Sequence, residues 1–158
     1  MVIDTSALIA ILKAEPEAAE LLGCLSQPSP KWISTTTLLE AQILVISQLG
    51  EAGPPELDLL LGRAEIKSLP LDTLHVHWAL HGWRHFGKGR HRAGLNLGDC
   101  FSYGLAMALD LPLLFKGDHF ARTDVKAAMR RHECETRTQP VIPGLSPRNS
   151  RISRSLRF

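Results

Sequence analysis

The chain opens with two apolar positions, Val2-Ile3, breaks at Asp4-Thr5-Ser6, and resumes with a helical period through Ala7, Leu8, Ile9, Ala10, Ile11 and Leu12. The pattern predicts a buried strand, a turn and a helix. A carboxylate at such a junction stands at the carboxyl end of a strand, where open α/β sheets place their ligand sites. Asp4, Thr5 and Ser6 are equally good helix N-caps, which accounts for them without any chemistry.

Further along, Pro16-Glu17 opens a second helical pattern through Ala18, Ala19, Leu21, Leu22 and Leu25, which stops before Pro28 and Pro30. Lys31 to Thr35 reads as a strand. Thr36-Thr37 then opens an apolar helix through Leu38, Leu39, Ala41, Ile43, Leu44, Ile46 and Leu49 that ends at Gly50. Pro54-Pro55-Glu56 starts another helix with Leu57, Leu60 and Leu61 inward. Ile66, Ser68 and Leu69 predict a third strand, Leu74 to Phe86 a helix, Gly87 to Gly94 a loop, Leu97 to Leu109 a helix, and Pro112 to Phe115 a fourth strand. Strands alternating with helices give an α/β class with a mostly parallel sheet covered on both faces. No repeat is present.

That topology gathers acids. Asp4 and Asp118 each follow a strand, and parallel pairing brings both to one sheet edge. Glu40 is the only charged residue between Trp32 and Glu51. It reads either as a site acid or as the glutamate of a capping box opened by Thr37. Asp99 follows Asn96, a candidate N-cap, and serves either a site or the helix dipole. Carboxylates gathered in one cleft repel one another unless a cation sits among them. A hard divalent ion, Mg²⁺ or Mn²⁺, resolves that conflict and supports phosphodiester hydrolysis by an activated water. Rival chemistries lack their motifs: there is no G-x-S-x-G, Gly87-Lys88-Gly89 lacks phosphate-loop spacing, and position 6 is Ser where a phosphatase pattern requires a second Asp. A receiver-like signalling domain using Asp4 and Lys116 is disfavoured because strand one lacks paired acids.

Composition changes the picture in two places. With 158 residues, 44% of them hydrophobic and 22% charged, the chain fits one ordinary globular domain. Neither a signal peptide nor a membrane span is predicted, so the expectation is a soluble cytoplasmic protein. Cys24, Cys100 and Cys134 suit neither a disulfide framework nor a zinc site. The net charge of +2 conceals an asymmetry. From Thr136 onward there are five arginines and no acid, which leaves residues 1–135 with 13 basic against 16 acidic side chains, a net of −3. Residues 1–135 are therefore expected to form the domain, and residues 136–158 a basic, flexible tail, either solvated or lying on RNA or another polyanion.

Taken together, Met1 to Leu8, the helix bearing Glu40, the run Gly89 to Tyr103, and Pro112 to Gly117 followed by Phe120 and Thr123-Asp124 resemble a PIN-domain ribonuclease of the VapC toxin type. The resemblance covers about residues 1–130 and lies in the combination of motifs. It implies a PIN-like α/β/α sandwich, usually a homodimer, that cleaves structured RNA such as tRNA or a ribosomal RNA loop with Mg²⁺ or Mn²⁺ and is blocked by a cognate VapB-like antitoxin. Carried over by position, the metal-binding acids are Asp4, Glu40 and Asp99, with Thr5 and Ser6 supporting them. Where the family has a variable residue, an Asp and then Phe, this chain reads Asp118-His119-Phe120. The fourth acid thus falls on His119, with Asp118 one place early and Asp124 a further candidate. His is a poor Mg²⁺ ligand, and a weakened PIN-like module that binds RNA or a partner is the alternative reading.

Of the remaining features, Lys88, Arg90, His91 and Arg92 lead into the helix of Asp99, either to hold an RNA backbone or as a solvated loop. His77, His81 and His85 share a helical stripe without a cysteine or acid to complete a metal site, so a polar face is expected. Trp32, Trp78 and Trp83 read as core or dimer contacts. Leu57, Leu60 and Leu61, beside Leu44 and Ile46, are expected in the core, with a dimer or antitoxin surface as the alternative.

Overall fold

A computed structural model describes residues 1–129; the expected tail from residue 136 and its boundary at 135 lie outside the described residues. The elements run β1 (Val2–Ile3), α1 (Thr5–Leu12), α2 (Ala18–Leu25), β2 (Lys31–Ser34), α3 (Thr35–Leu49), α4 (Gly53–Arg63), β3 (Ile66–Leu69), α5 (Thr73–Phe86), α6 (Leu97–Leu109) and β4 (Leu113–Leu114). The four strands are parallel in the order β3-β2-β1-β4. Val2 and Ile3 stand opposite Leu113 and Leu114.

Because successive strand side chains point to opposite faces, the two residues of β1 serve two cores. Val2 packs with Leu95, Tyr103, Leu105 and Leu113 beneath α5 and α6. Ile3 packs with Leu8, Leu21, Ile33, Val45 and Leu57 beneath α1 to α4. Both are fully buried, and each such side chain contributes roughly 1.5–3 kcal/mol to the burial term. The result is the expected α/β/α sandwich, with β1 at its centre. Trp32 and Trp83 pack partly buried against the first core, and Leu60 and Leu61 against the second. Among the described residues no helix is long and apolar enough to cross a membrane.

Two boundaries differ from expectation in ways that bear on the site. The third helix starts at Thr35, because the Ser34 hydroxyl accepts the Thr36 N–H and so caps it. Glu40 therefore lies in the second turn, and the capping box proposed around Thr37 does not form. The second helix starts at Ala18 rather than at Pro16-Glu17, leaving Glu15 and Glu17 to pair with Lys116 at the end of β4.

Candidate active site

Three consecutive residues at the end of β1 have distinct roles. Asp4 caps α1: its Oδ2 accepts the Ser6 N–H at 2.9 Å and the Ser6 hydroxyl at 2.6 Å. Ser6 Oγ in turn accepts the Lys116 N–H at 2.9 Å, which ties this turn to the end of β4. Thr5 faces the other way. Its hydroxyl lies 2.7 Å from Glu40 Oε2, to which it donates, and 3.4 Å from the Thr37 carbonyl.

Asp4 is 3% exposed. Burial pushes its carboxyl above the ordinary value of 3.8, hydrogen bonds from Ser102 and Ser6 oppose that rise, and the charge of Asp99 adds to it. Ser102 is itself fully buried on α6, its hydroxyl 3.3 Å from that of Thr37. Asp99 forms a capping box with Asn96: Asp99 Oδ2 accepts the Asn96 N–H at 2.8 Å, and the Asn96 side chain accepts the Asp99 N–H at 2.9 Å. Capping and site roles coexist, since one carboxylate has lone pairs for both.

Glu40 reaches the same helix end. A Cβ placed on Gly98 would fall onto the Glu40 carboxylate, so a residue without a side chain in the first turn of α6 is what lets Glu40 approach. Asp4, Glu40 and Asp99 line one cleft of about 280 Å³, together with Lys116. The Lys116 ammonium is paired with Glu15 and, at 3.3 Å, with Glu17. Neither Asp4 nor Glu40 has a basic partner among the described residues.

The other candidates divide. His119 stands at an adjoining hollow of about 370 Å³ that shares Asp99 and Lys116 with the cleft. Its Nδ1 is 3.4 Å from Asp99 Oδ2. Asp118 lines that hollow but not the cleft, and it pairs with Arg122 at 3.7 Å. Asp124 accepts the Tyr103 hydroxyl at 2.9 Å and lines neither space. Lys88, Arg90 and Arg92 are exposed on the loop before Asn96 and likewise line neither. The stripe of His77, His81 and His85 holds a stacked His81–His85 pair, ring centroids 4.1 Å apart.

The donor set suits a hard cation: carboxylates and hydroxyls line the cleft, with no thiol among them. Among the described residues no three His, Cys, Asp or Glu side chains form a closed cluster. An ion that keeps several waters needs no such cluster. The contacts made here by Thr37, Ser102, Gly98 and the Glu15–Glu17–Lys116 group join elements remote in the chain, and no local spacing announces them.

Residues 1–126 match the PIN-domain family model. The chain belongs to the VapC family of PIN-domain proteins. It is 50% identical over 127 residues to a protein of Mycolicibacterium smegmatis named Ribonuclease VapC, covering 80% of this chain and 98% of the relative. Among solved structures, this PIN domain superposes on Mycobacterium tuberculosis VapC20, described as a sarcin-ricin loop cleaving toxin, with a TM-score of 0.63 at 15% identity, over 78% of this chain and 95% of that one. It also matches a chain of a toxin–antitoxin complex from Klebsiella pneumoniae, with a TM-score of 0.57 at 17% identity, over 78% and 92% of the two chains. Those two likenesses concern the fold.

Proposed function

We propose that this PIN domain is an endoribonuclease toxin of the cytoplasm, acting on structured RNA such as tRNA or a ribosomal RNA loop and restrained by a VapB-like antitoxin. The observation that carries the reading is the convergence of Asp4, Glu40 and Asp99 on one cleft, with no basic partner for Asp4 or Glu40 among the described residues. The curated relative's ribonuclease name supports it, as does the fold shared with a chain of a toxin–antitoxin complex.

In this reading Asp4, Glu40 and Asp99 hold Mg²⁺ or Mn²⁺. Such an ion supplies a water of lowered pKa and neutralises charge building on the phosphodiester. Ser6 fixes the Asp4 carboxylate, Thr5 fixes that of Glu40, and Asn96 fixes that of Asp99, so the three are oriented before substrate arrives. Lys116 lies against the same cleft and meets a phosphate once it leaves Glu15 and Glu17. Lys88, Arg90 and Arg92 engage the RNA backbone beyond the cleft. Residues 1–135 are the nuclease unit, with the arginine-rich segment 136–158 appended to it. Leu39 and Ile43 on α3, and Leu80 and Leu97 on α5 and α6, are exposed apolar surface for a second copy and the antitoxin to cover.

The test is incubation of a tRNA and ribosomal RNA pool with the purified chain in Mn²⁺, Mg²⁺ or EDTA, with Asp99→Asn alongside. Discrete fragments that vanish with EDTA and with Asp99→Asn are expected. RNA that is bound but left intact in both ions overturns the reading in favour of a PIN-like binding module.

A further inference from the structure

Beside the cleft, in the hollow that shares Asp99 with it, stands an imidazole next to a carboxylate. His119 precedes the short 3₁₀ turn Phe120–Arg122, and Phe120, 2% exposed, packs against Phe115 with ring centroids 5.1 Å apart. That anchor holds the turn against the end of β4. The imidazole is thereby brought to 3.4 Å, Nδ1 to Oδ2, from Asp99, although more than half of the side chain is exposed.

Two donors on adjacent vertices of an octahedral ion with bonds of about 2.1 Å stand roughly 3 Å apart. The spacing of Nδ1 and Asp99 Oδ2 is close to that, and Asp99 lines both the cleft and the hollow where His119 sits. Imidazole binds Mg²⁺ poorly and first-row transition ions well. An oxygen ligand at this place would leave a site content with Mg²⁺; a nitrogen ligand does not.

We propose that His119 completes the metal site beside Asp99 and biases it away from Mg²⁺ toward a first-row transition ion, of which Mn²⁺ best suits a site whose other donors are carboxylates and water. The inference rests on the reading that Asp4, Glu40 and Asp99 hold the ion. It assigns His119 the role of a selectivity-determining ligand, whereas Asp118, paired with Arg122, takes no part.

The experiment is Mn²⁺ binding to the EDTA-stripped full chain, followed by electron paramagnetic resonance, with Mg²⁺ as competitor. The variants are His119→Asp, His119→Ala and Asp99→Asn, each checked for an unchanged melting profile. The Mg²⁺-to-Mn²⁺ ratio of dissociation constants is expected to fall about tenfold in His119→Asp, and Mn²⁺ affinity about tenfold in His119→Ala. Nitrogen coupling on bound Mn²⁺ is expected in the parent and lost in both His119 variants. A ratio unchanged in His119→Asp, or a nitrogen signal that survives it, overturns the inference. If Asp99→Asn abolishes binding while both His119 variants bind as the parent does, the His119 assignment alone is overturned. If the parent binds no Mn²⁺, or Asp99→Asn binds as well as the parent, the three-acid site fails and this inference fails with it.

Discussion

Thr5 and Glu40 are 35 residues apart in the chain, yet the Thr5 hydroxyl donates to Glu40 Oε2 at 2.7 Å. The bond joins the first residue of α1 to the second turn of α3 and fixes one carboxylate of the cleft. Thr5→Val preserves shape and removes the donor. Cleavage and divalent-ion affinity are expected to fall about 10- to 100-fold, and stability by only about 1–3 kcal/mol. Ion titration and a denaturant melt on the same preparation check both halves. Unchanged ion affinity contradicts the orienting role.

Gly98→Ala separates fold from site. Alanine is favoured over glycine inside a helix by about 1 kcal/mol, and the atoms its Cβ would meet are the far end of the flexible Glu40 side chain. Thermal stability is expected to hold or rise slightly while RNA cleavage collapses, as Glu40 is driven from the cleft. A variant that cleaves normally shows that Glu40 has no need of this position.

Asp4 links the site to pH. Burial, then the Asp99 charge, raise its carboxyl above 3.8, so the folded chain binds that proton more tightly than the unfolded one. Stability from this group is fullest below about 3.8 and declines as pH rises from there to the raised folded value, then levels off. Asp4→Asn keeps a capping oxygen and removes the charge. In EDTA at neutral pH it is expected to melt higher, by about 2–4 °C for each kcal/mol of relieved desolvation, with the gain vanishing near pH 3, while cleavage is lost. A lower melting point at neutral pH contradicts the buried charge.

Lys116 is held by Glu15 and Glu17 at the cleft's rim. If it exchanges them for a phosphate, Lys116→Ala weakens RNA binding in EDTA and lowers the salt slope by about 1. Glu15→Gln is expected to tighten binding. Fluorescence anisotropy at several salt concentrations reads both effects. A salt slope unchanged in Lys116→Ala leaves the lysine with a purely structural part.

The layered fold was legible because its signals are local and periodic. Leu97–Leu109 has the bounds that the apolar spacing predicts, and the four strands pair in parallel as the alternation of strand and helix predicts. The grouping of Asp4, Glu40 and Asp99 was legible through the resemblance, whereas topology alone pairs Asp4 with Asp118, which lines the adjoining hollow and not the cleft. What holds those acids was not legible, because Thr5 to Glu40, Thr37 to Ser102 and Ser6 to Lys116 are contacts between remote elements with no period. Local reading also misled at Thr37: Ser34 competes for the same cap and wins, since α3 starts beside it. Asp124 was a further candidate for the fourth acid, but its carboxylate meets the buried Tyr103, whose hydroxyl burial pushes well above its usual range.

The order β3-β2-β1-β4 sets the earliest strand of this sheet in the chain beside its latest. Val2 and Ile3 have no neighbour on one side until Leu113 and Leu114 have been made, and Ser6 cannot accept the Lys116 N–H before then. An emerging chain thus holds Asp4 and Glu40 long before Asp99, His119 and the strand that clamps the turn. On the proposed activity, a ribosome translating this message is exposed to no working blade until nearly the whole domain has been made, and that interval is open to an antitoxin already present.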